Sequence, residues 1–181
     1  MPRFVPPDPD SYTEAQCRVV DEVRAGRRGT VPANVLAWLP SPTLARLAAA
    51  LGEFVRYETS LGARRSELAI LAVARHWSCA YEWAVHAHEA LQAGVPAGDI
   101  AAIGRGDPPS ALDGGDAAVY AFARELVSAG RVSDAVYAST EAALGEAGVA
   151  DLVGVVGYYT LVAFTLNACE MPAPDGAPRL P

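Results

Sequence analysis

Three side chains that can act as nucleophile, acid or base lie at helical spacing in the middle of the chain. Cys79, Glu82 and His86 stand at positions i, i+3 and i+7 of an apolar segment. Because an α-helix turns by about 100° per residue, seven positions return to within roughly 20° of the start. The spacing therefore predicts a thiol, a carboxyl and an imidazole on one helix face. Burying such groups without partners costs several kcal/mol, by order of magnitude, so their presence requires an explanation.

A fourth chemical group lies in the preceding apolar segment. Glu67 belongs to a predicted helix over 61–75, and a break is predicted at His76, Trp77 and Ser78 before the next helix over 79–93. If these two helices form a hairpin, Glu67 faces the stripe of Cys79, Glu82 and His86. We therefore predict a central helical hairpin that carries all four residues.

Helical periodicity extends through the rest of the chain, and no segment alternates strictly between apolar and polar residues. The predicted fold class is all-α. One helical domain is expected over 11–171, between an irregular N-terminal arm (1–10) and a non-helical, proline-rich tail (172–181). Ser11 and Glu14 form a capping-box pattern that predicts the start of the first helix, and Gly26 predicts its end. The other predicted segments are a short apolar turn (34–39) and helices over 42–57, 97–103, 116–129, 133–144 and 149–171.

Composition and charge exclude several classes of function. The net charge of −7 disfavours nucleic acid as a partner. All 14 basic residues are arginine, and the absence of lysine excludes Schiff-base enzymes and the usual pyridoxal phosphate chemistry. Hydrophobic residues make up 51% of the chain, which is high for a soluble monomer, so we expect a homo-oligomer.

The cysteine and histidine positions give no metal or disulfide pattern. Cys17, Cys79 and Cys169 are widely spaced, and His86 and His88 point in nearly opposite directions on a helix. We predict neither a metal nor a cofactor. The N-terminus lacks the apolar core of a signal peptide, and the apolar stretch over 152–168 is short and partly polar for a membrane span. The sequence thus favours a cytoplasmic protein without membrane partners.

The segment Cys-x-Tyr-Glu-Trp-x-x-His (79–86), with Gly-Tyr-Tyr (157–159) downstream, resembles the carboxymuconolactone decarboxylase / AhpD-like superfamily. In its peroxidase branch, a Glu on one helix precedes Cys-x-x-Cys-x-x-x-His on the next. Glu67, Cys79 and His86 fall on the Glu, the first Cys and the His of that motif. Glu82 replaces the second Cys, and the Glu-x-x-x-His pair is similar to the decarboxylase branch. The resemblance implies an all-helical protein that assembles as trimers or hexamers, with active sites near subunit contacts.

This resemblance favours cofactor-independent acid–base chemistry on a small anionic carbonyl compound, such as decarboxylation of a carboxylated lactone or keto acid. His86 suits the acid/base role because imidazole titrates near neutrality. Glu82 would orient His86 or transfer the proton itself if burial raises its pKa, and Glu67 would add a second carboxylate. The predicted catalytic set is Glu67, Cys79, Glu82 and His86.

Five further residues are predicted to bind the substrate. Tyrosine hydroxyls would donate hydrogen bonds to a developing oxyanion, an arginine fork would bind the substrate carboxylate, and a tryptophan would add apolar surface. These residues are Arg64, Arg65, Tyr81, Trp83 and Tyr159.

Two alternatives use the same residues differently. Cys79 could act as a one-Cys, thiol-dependent peroxidase if the helix N-terminus and His86 lower its pKa, with an external thiol resolving the sulfenate. The domain could also be a non-catalytic oligomeric scaffold that binds a ligand.

Overall fold

A computed structural model describes residues 3–181, so Met1 and Pro2 of the predicted arm lie outside the described residues. Within this range the chain forms eight α-helices and one short 3-10 turn, Pro9–Ser11, and contains no strand. The all-α prediction is therefore confirmed for the described residues. The helices are α1 (Glu14–Ala25), α2 (Ala33–Trp38), α3 (Pro42–Tyr57), α4 (Gly62–His76), α5 (Ala80–Gln92), α6 (Ala97–Arg105), α7 (Gly114–Ala129) and α8 (Asp134–Ala168).

Helix α4 forms the centre of the fold. Every residue from Ser66 to Ala74 is buried, and α4 contacts α3, α5, α6, α7 and α8. A helix that is apolar on all sides must be enclosed by other elements, because a single covering layer would leave one face in water. The surrounding helices therefore position the polar side chains of α4 in a poorly hydrated interior.

Helices α4 and α5 pack against each other as the predicted hairpin. Trp77 ends α4, and Cys79 is the N-cap residue of α5. Ser78 between them has a φ of 49°, in the left-handed region that residues other than glycine rarely adopt. This one-residue reversal turns the chain so tightly that Glu67 on α4 comes alongside α5.

The start of α1 differs from the prediction. Thr13, rather than Ser11, caps the helix: its hydroxyl accepts from the Gln16 N–H, and the Gln16 side-chain oxygen accepts from the Thr13 N–H. Ser11 instead belongs to the 3-10 turn that Asp8 caps and Pro9 begins. The capping box is thus real but lies two residues further along.

One other element also differs. The predicted turn over 34–39 is the helix α2, whose Trp38 Nε1–H donates to the Thr165 hydroxyl at 2.8 Å. The two predicted C-terminal helices are present within α8, which consists of two helical segments that meet at Gly145, where the backbone leaves helical geometry with φ 71° and ψ 172°. By length and composition α8 could cross a membrane, but half of its most apolar window is buried in this fold, as in a core helix.

Candidate active site

An imidazole and a carboxylate meet across the α4–α5 hairpin. His86 Nδ1 lies 2.8 Å from Glu67 Oε2, and both side chains are buried. With the Nδ1–H donated to this carboxylate, the second ring nitrogen, Nε2, is left available for proton transfer. The structure thus brings Glu67 and His86 together, as the hairpin predicted.

Arg56 at the end of α3 completes this pair. Its guanidinium donates to Glu67 and, at 2.9 Å, to Glu89. Burial opposes charge on the Glu67 carboxylate, but His86 and Arg56 overcome it and hold its pKa below the ordinary value. Glu67 is therefore a fixed anion that orients His86. Arg56 was not predicted from the sequence, since no local motif marks a residue that reaches the site only through packing between helices.

Glu82 lies in the same interior without a partner. Its side chain is 2% exposed, and neither carboxyl oxygen has a hydrogen-bond partner among the described residues. Burial, together with repulsion from Glu67, raises the pKa of Glu82 well above its ordinary value. The protonated acid is the favoured form. The suggestion that Glu82 orients His86 is wrong because Glu67 occupies that position.

Cys79 is fully buried at the start of α5. Burial and the nearby Glu82 carboxyl raise the pKa of its thiol to about 12, although the backbone N–H groups of Glu82 and Tyr81 favour the thiolate. This is the reverse of the lowered pKa that the peroxidase alternative requires. At its motif position, the Cys79 thiol therefore lacks the lowered pKa and the exposure that a reactive thiol has.

A cavity of about 420 Å³ opens beside these groups and is called the reaction cavity here. Its polar lining includes Arg28, Arg56, Tyr81, Glu82, His86 and Tyr159, and its apolar lining comes from α5 and α8. The Tyr159 ring meets the His86 ring edge to face, with centroids 5.0 Å apart. Burial raises the pKa of Tyr159, so its hydroxyl stays protonated and can donate a hydrogen bond.

Three predicted substrate-binding residues do not line this cavity. Arg64 and Arg65 both pair with Asp116 on α7, and Arg64 also donates to the carbonyl of Gly94. Both guanidinium groups are engaged with α7 rather than with the cavity, so the structure gives them a structural role. Trp83 is 2% exposed and packs against Gly104 of α6. Tyr81 and Tyr159 are the two predicted binding residues that reach the cavity.

A second cavity of about 270 Å³, called the outer cavity here, shares Arg28, Pro32 and Tyr158 with the first. Tyr158 forms part of the wall between them, and its hydroxyl accepts from the Asn34 side chain at 3.5 Å. That hydroxyl lies directly against Gly52 of α3, where an added Cβ would stand 2.2 Å from it. Only glycine at this position leaves room for the ring.

The fold of this chain is AhpD-like. An AhpD-core, peroxidase-related protein from Ralstonia eutropha JMP134 superposes with a TM-score of 0.78 at 17% identity, over 96% of this chain and 93% of that one. A peroxidase-related protein from Silicibacter sp. TM1040 gives 0.74 at 15% identity, over 96% and 92%. The debrominase Bmp8 gives 0.72 at 13% identity, over 94% and 91%. A search of curated proteins found no match.

A family model matches the central part of the sequence. Residues 42–125, which span α3 to most of α7, match the model of the carboxymuconolactone decarboxylase family. The chain is therefore similar to that family over this segment and to AhpD-like proteins in its fold. The matched segment contains Arg56, Glu67, Glu82 and His86.

Proposed function

We propose that the protein is a cofactor-independent acid–base enzyme that acts on a small carboxylated lactone or keto acid. The observation that carries the proposal is the buried and unpartnered Glu82, one helical turn from a histidine that Glu67 orients, and burial raises the pKa of this Glu82 carboxyl. An acid kept neutral by burial can give a proton at neutral pH, and an oriented imidazole can take one.

Decarboxylation illustrates the proposed chemistry. The bond from the substrate carbon to its carboxylate breaks, CO₂ leaves, and the electron pair moves into the conjugated carbonyl as an enolate. Tyr81 and Tyr159 line the cavity where they would donate hydrogen bonds to that oxygen. Glu82 then gives its proton to the carbon as the enolate collapses, and His86 returns a proton from solvent to Glu82. The Glu67 anion stabilises the charged imidazole in that last step.

The second candidate is the one-Cys peroxidase. Two of the structures similar to this chain are described as peroxidase-related, which favours thiol chemistry by fold. A Cys-to-Ala variant of the debrominase Bmp8 is known in complex with 2,3,4-tribromopyrrole. In this chain, however, the Cys79 thiol is buried with a pKa of about 12, and a carboxyl stands where a second sulfur would resolve a sulfenate. These features support the acid–base proposal over the redox one.

The test is a screen of lactone acids and keto acids in D₂O, with proton NMR to follow CO₂ loss and deuterium incorporation at carbon. His86→Gln should lower turnover of any active compound by about 10²- to 10⁴-fold, which is the usual contribution of an acid–base group. Cys79→Ser should keep it within about threefold, since the thiol has no role in the step. Peroxide consumption that needs added thiol and is lost in Cys79→Ser would contradict the proposal.

Self-association is part of this proposal. One face of α3 carries four large apolar side chains that are 40–55% exposed, which in water favours burial against another subunit. They are Leu44, Leu47, Leu51 and Phe54. Sedimentation equilibrium of the wild type and Leu47→Glu should show an oligomer that the charged substitution weakens, and a monomeric wild type would refute this part.

A further inference from the structure

The two cavities meet at an arginine that has no carboxylate partner. Arg28 lines both the reaction cavity and the outer cavity, together with Pro32 and Tyr158. It follows the end of α1, on the connection to α2, and is half-buried. No carboxylate oxygen of residues 3–181 lies within 4.0 Å of its guanidinium.

The other guanidinium in the reaction cavity is already engaged. Arg56 is shared between Glu67 and Glu89, so two carboxylates neutralise it. An additional anion at Arg56 would compete with the bond that fixes Glu67. Arg28 faces no such competition, and five N–H donors leave it free to bind a carboxylate in a bidentate fork.

The surroundings of Arg28 strengthen its attraction for an anion. Tyr158 is held in place between Gly52 and Asn34, and burial raises the pKa of both Tyr158 and Tyr159, although the Arg28 charge partly offsets this effect. The two hydroxyls are therefore neutral and do not compensate the guanidinium charge. Glu22 and Glu53 line the outer cavity with Arg28, but no carboxylate oxygen of the described residues lies close enough to pair with it. A half-buried arginine without an ion-pair partner, shared by both cavities, has the chemistry of an anion-binding group.

We propose that Arg28 binds a carboxylate that the substrate keeps through the reaction, while the reacting carbon lies beside Glu82 and His86. The inference rests on the proposed function and narrows its substrate class. The substrate is an acid whose retained carboxylate stands at one end and whose carbonyl stands at the other. The outer cavity, on the far side of Tyr158, holds any substituent attached near that carboxylate.

Equilibrium binding tests this assignment without requiring turnover. The probes are 4-oxopentanoate and its methyl ester, which differ in charge and share the ketone. By calorimetry, the wild type should bind the acid at least about tenfold more tightly than the ester, as expected for one charge-assisted contact. Arg28→Gln should remove this preference, and Arg28→Lys should keep part of it.

Arg24→Gln is the matched control, because Arg24 is an exposed arginine of α1 that lines neither cavity. It should leave the preference for the acid unchanged. Thermal melting of each variant shows whether the fold survives. A wild type that does not distinguish acid from ester, or a folded Arg28→Gln that still does, overturns the assignment.

The D₂O exchange assay separates this inference from the proposed function. If acids bind in an Arg28-dependent way but no compound loses CO₂ or incorporates deuterium at carbon, the site binds acids and the proposed acid–base function is wrong. Exchange that depends on His86, with the same KM in wild type and Arg28→Gln, would mean that the function holds and the carboxylate binds elsewhere. The joint expectation is a raised KM in Arg28→Gln with kcat nearly unchanged.

Discussion

Two carboxyl groups on helices that both pack against α4 are equally buried but differ in their partners. Asp116, on the α7 side, is 3% exposed and pairs each oxygen with an arginine, Arg64 or Arg65. Glu82, on the α5 side, is 2% exposed and pairs with nothing in the described part of the chain. The first arrangement ties two helices together. The second leaves a buried acid without an ion pair or hydrogen bond, and this is the group to which the proposed function assigns proton transfer.

The largest expected difference between the two carboxyls is in activity. Glu82→Gln should lower turnover of the substrate found in the screen by about 100-fold or more, because the amide cannot supply the proton. Asp116→Asn, the matched change on α7, should keep turnover within about threefold. Initial rates by NMR measure both. Similar losses in the two variants would mean that Glu82 has no special role.

Substitution of Asp116, which should hardly affect turnover, should lower the free energy of unfolding. Asp116→Ala leaves Arg64 and Arg65 without their acid, and about 1–3 kcal/mol of the free energy of unfolding should be lost. The loss is smaller than for a fully buried pair because both arginines are about one-third exposed, at 36% and 32%, and water screens them. Urea unfolding at pH 7 measures it. A loss below 0.5 kcal/mol, on the order of an exposed-pair effect, would show that this contact is not structural.

Removing the unpartnered acid should stabilise the protein. Glu82→Met keeps the volume and removes the buried carboxyl, with an expected gain of about 1–2 kcal/mol at pH 8. Above the ordinary carboxyl value of 4.5, the unfolded chain releases the Glu82 proton while the folded protein retains it. Folding then takes up a proton, so wild-type stability falls as the pH rises.

The gain in Glu82→Met should therefore shrink as the pH is lowered from 8 toward 4.5. Glu146→Met, at an exposed position of α8, is the control and should show no such trend. Urea unfolding at pH 5, 6.5 and 8 measures the three proteins. A gain that is constant with pH would show that Glu82 is ionised in the fold.

The smallest effect is expected for the thiol next to Glu82. With a pKa of about 12, roughly one Cys79 thiol in 10,000 is ionised at pH 8, and the side chain is buried. A disulfide reagent should label the exposed Cys17 in the native protein and reach Cys79 only after unfolding. Mass spectrometry of labelled peptides identifies each site. Rapid native labelling of Cys79 would revive the peroxidase alternative.

Local patterns predicted the elements but not the contacts between distant ones. The periodicity of α3 predicted its bounds, 42–57, because its apolar residues and Pro42 act within the helix itself. The hairpin of α4 and α5 predicted the meeting of Glu67 and His86, since both lie close to one tight turn. Arg56 and Arg28 were missed because they reach the cavity only when α3 and the α1–α2 connection pack onto this hairpin.

The arginine assignments show the same limit. Arg64 and Arg65 were chosen because an arginine fork suits a substrate carboxylate, but both pair with Asp116, which lies 51 positions or more away in the sequence. The prediction that Ser11 caps α1 was wrong because Ser11 belongs to the 3-10 turn that begins at Pro9, and Thr13 caps α1 instead. The residue types predicted that a capping box and arginine ion pairs would form. They did not predict which residue caps α1 or which carboxylate each arginine binds.

The close contact of Tyr158 with Gly52 links the backbone of α3 to the shape of the reaction cavity. A Cβ added at position 52 would stand 2.2 Å from the Tyr158 hydroxyl oxygen, so the ring would have to move. That ring lines both the reaction cavity and the outer cavity. The position of the ring that both cavities share is therefore set by the absence of a side chain at residue 52, which itself lines the outer cavity.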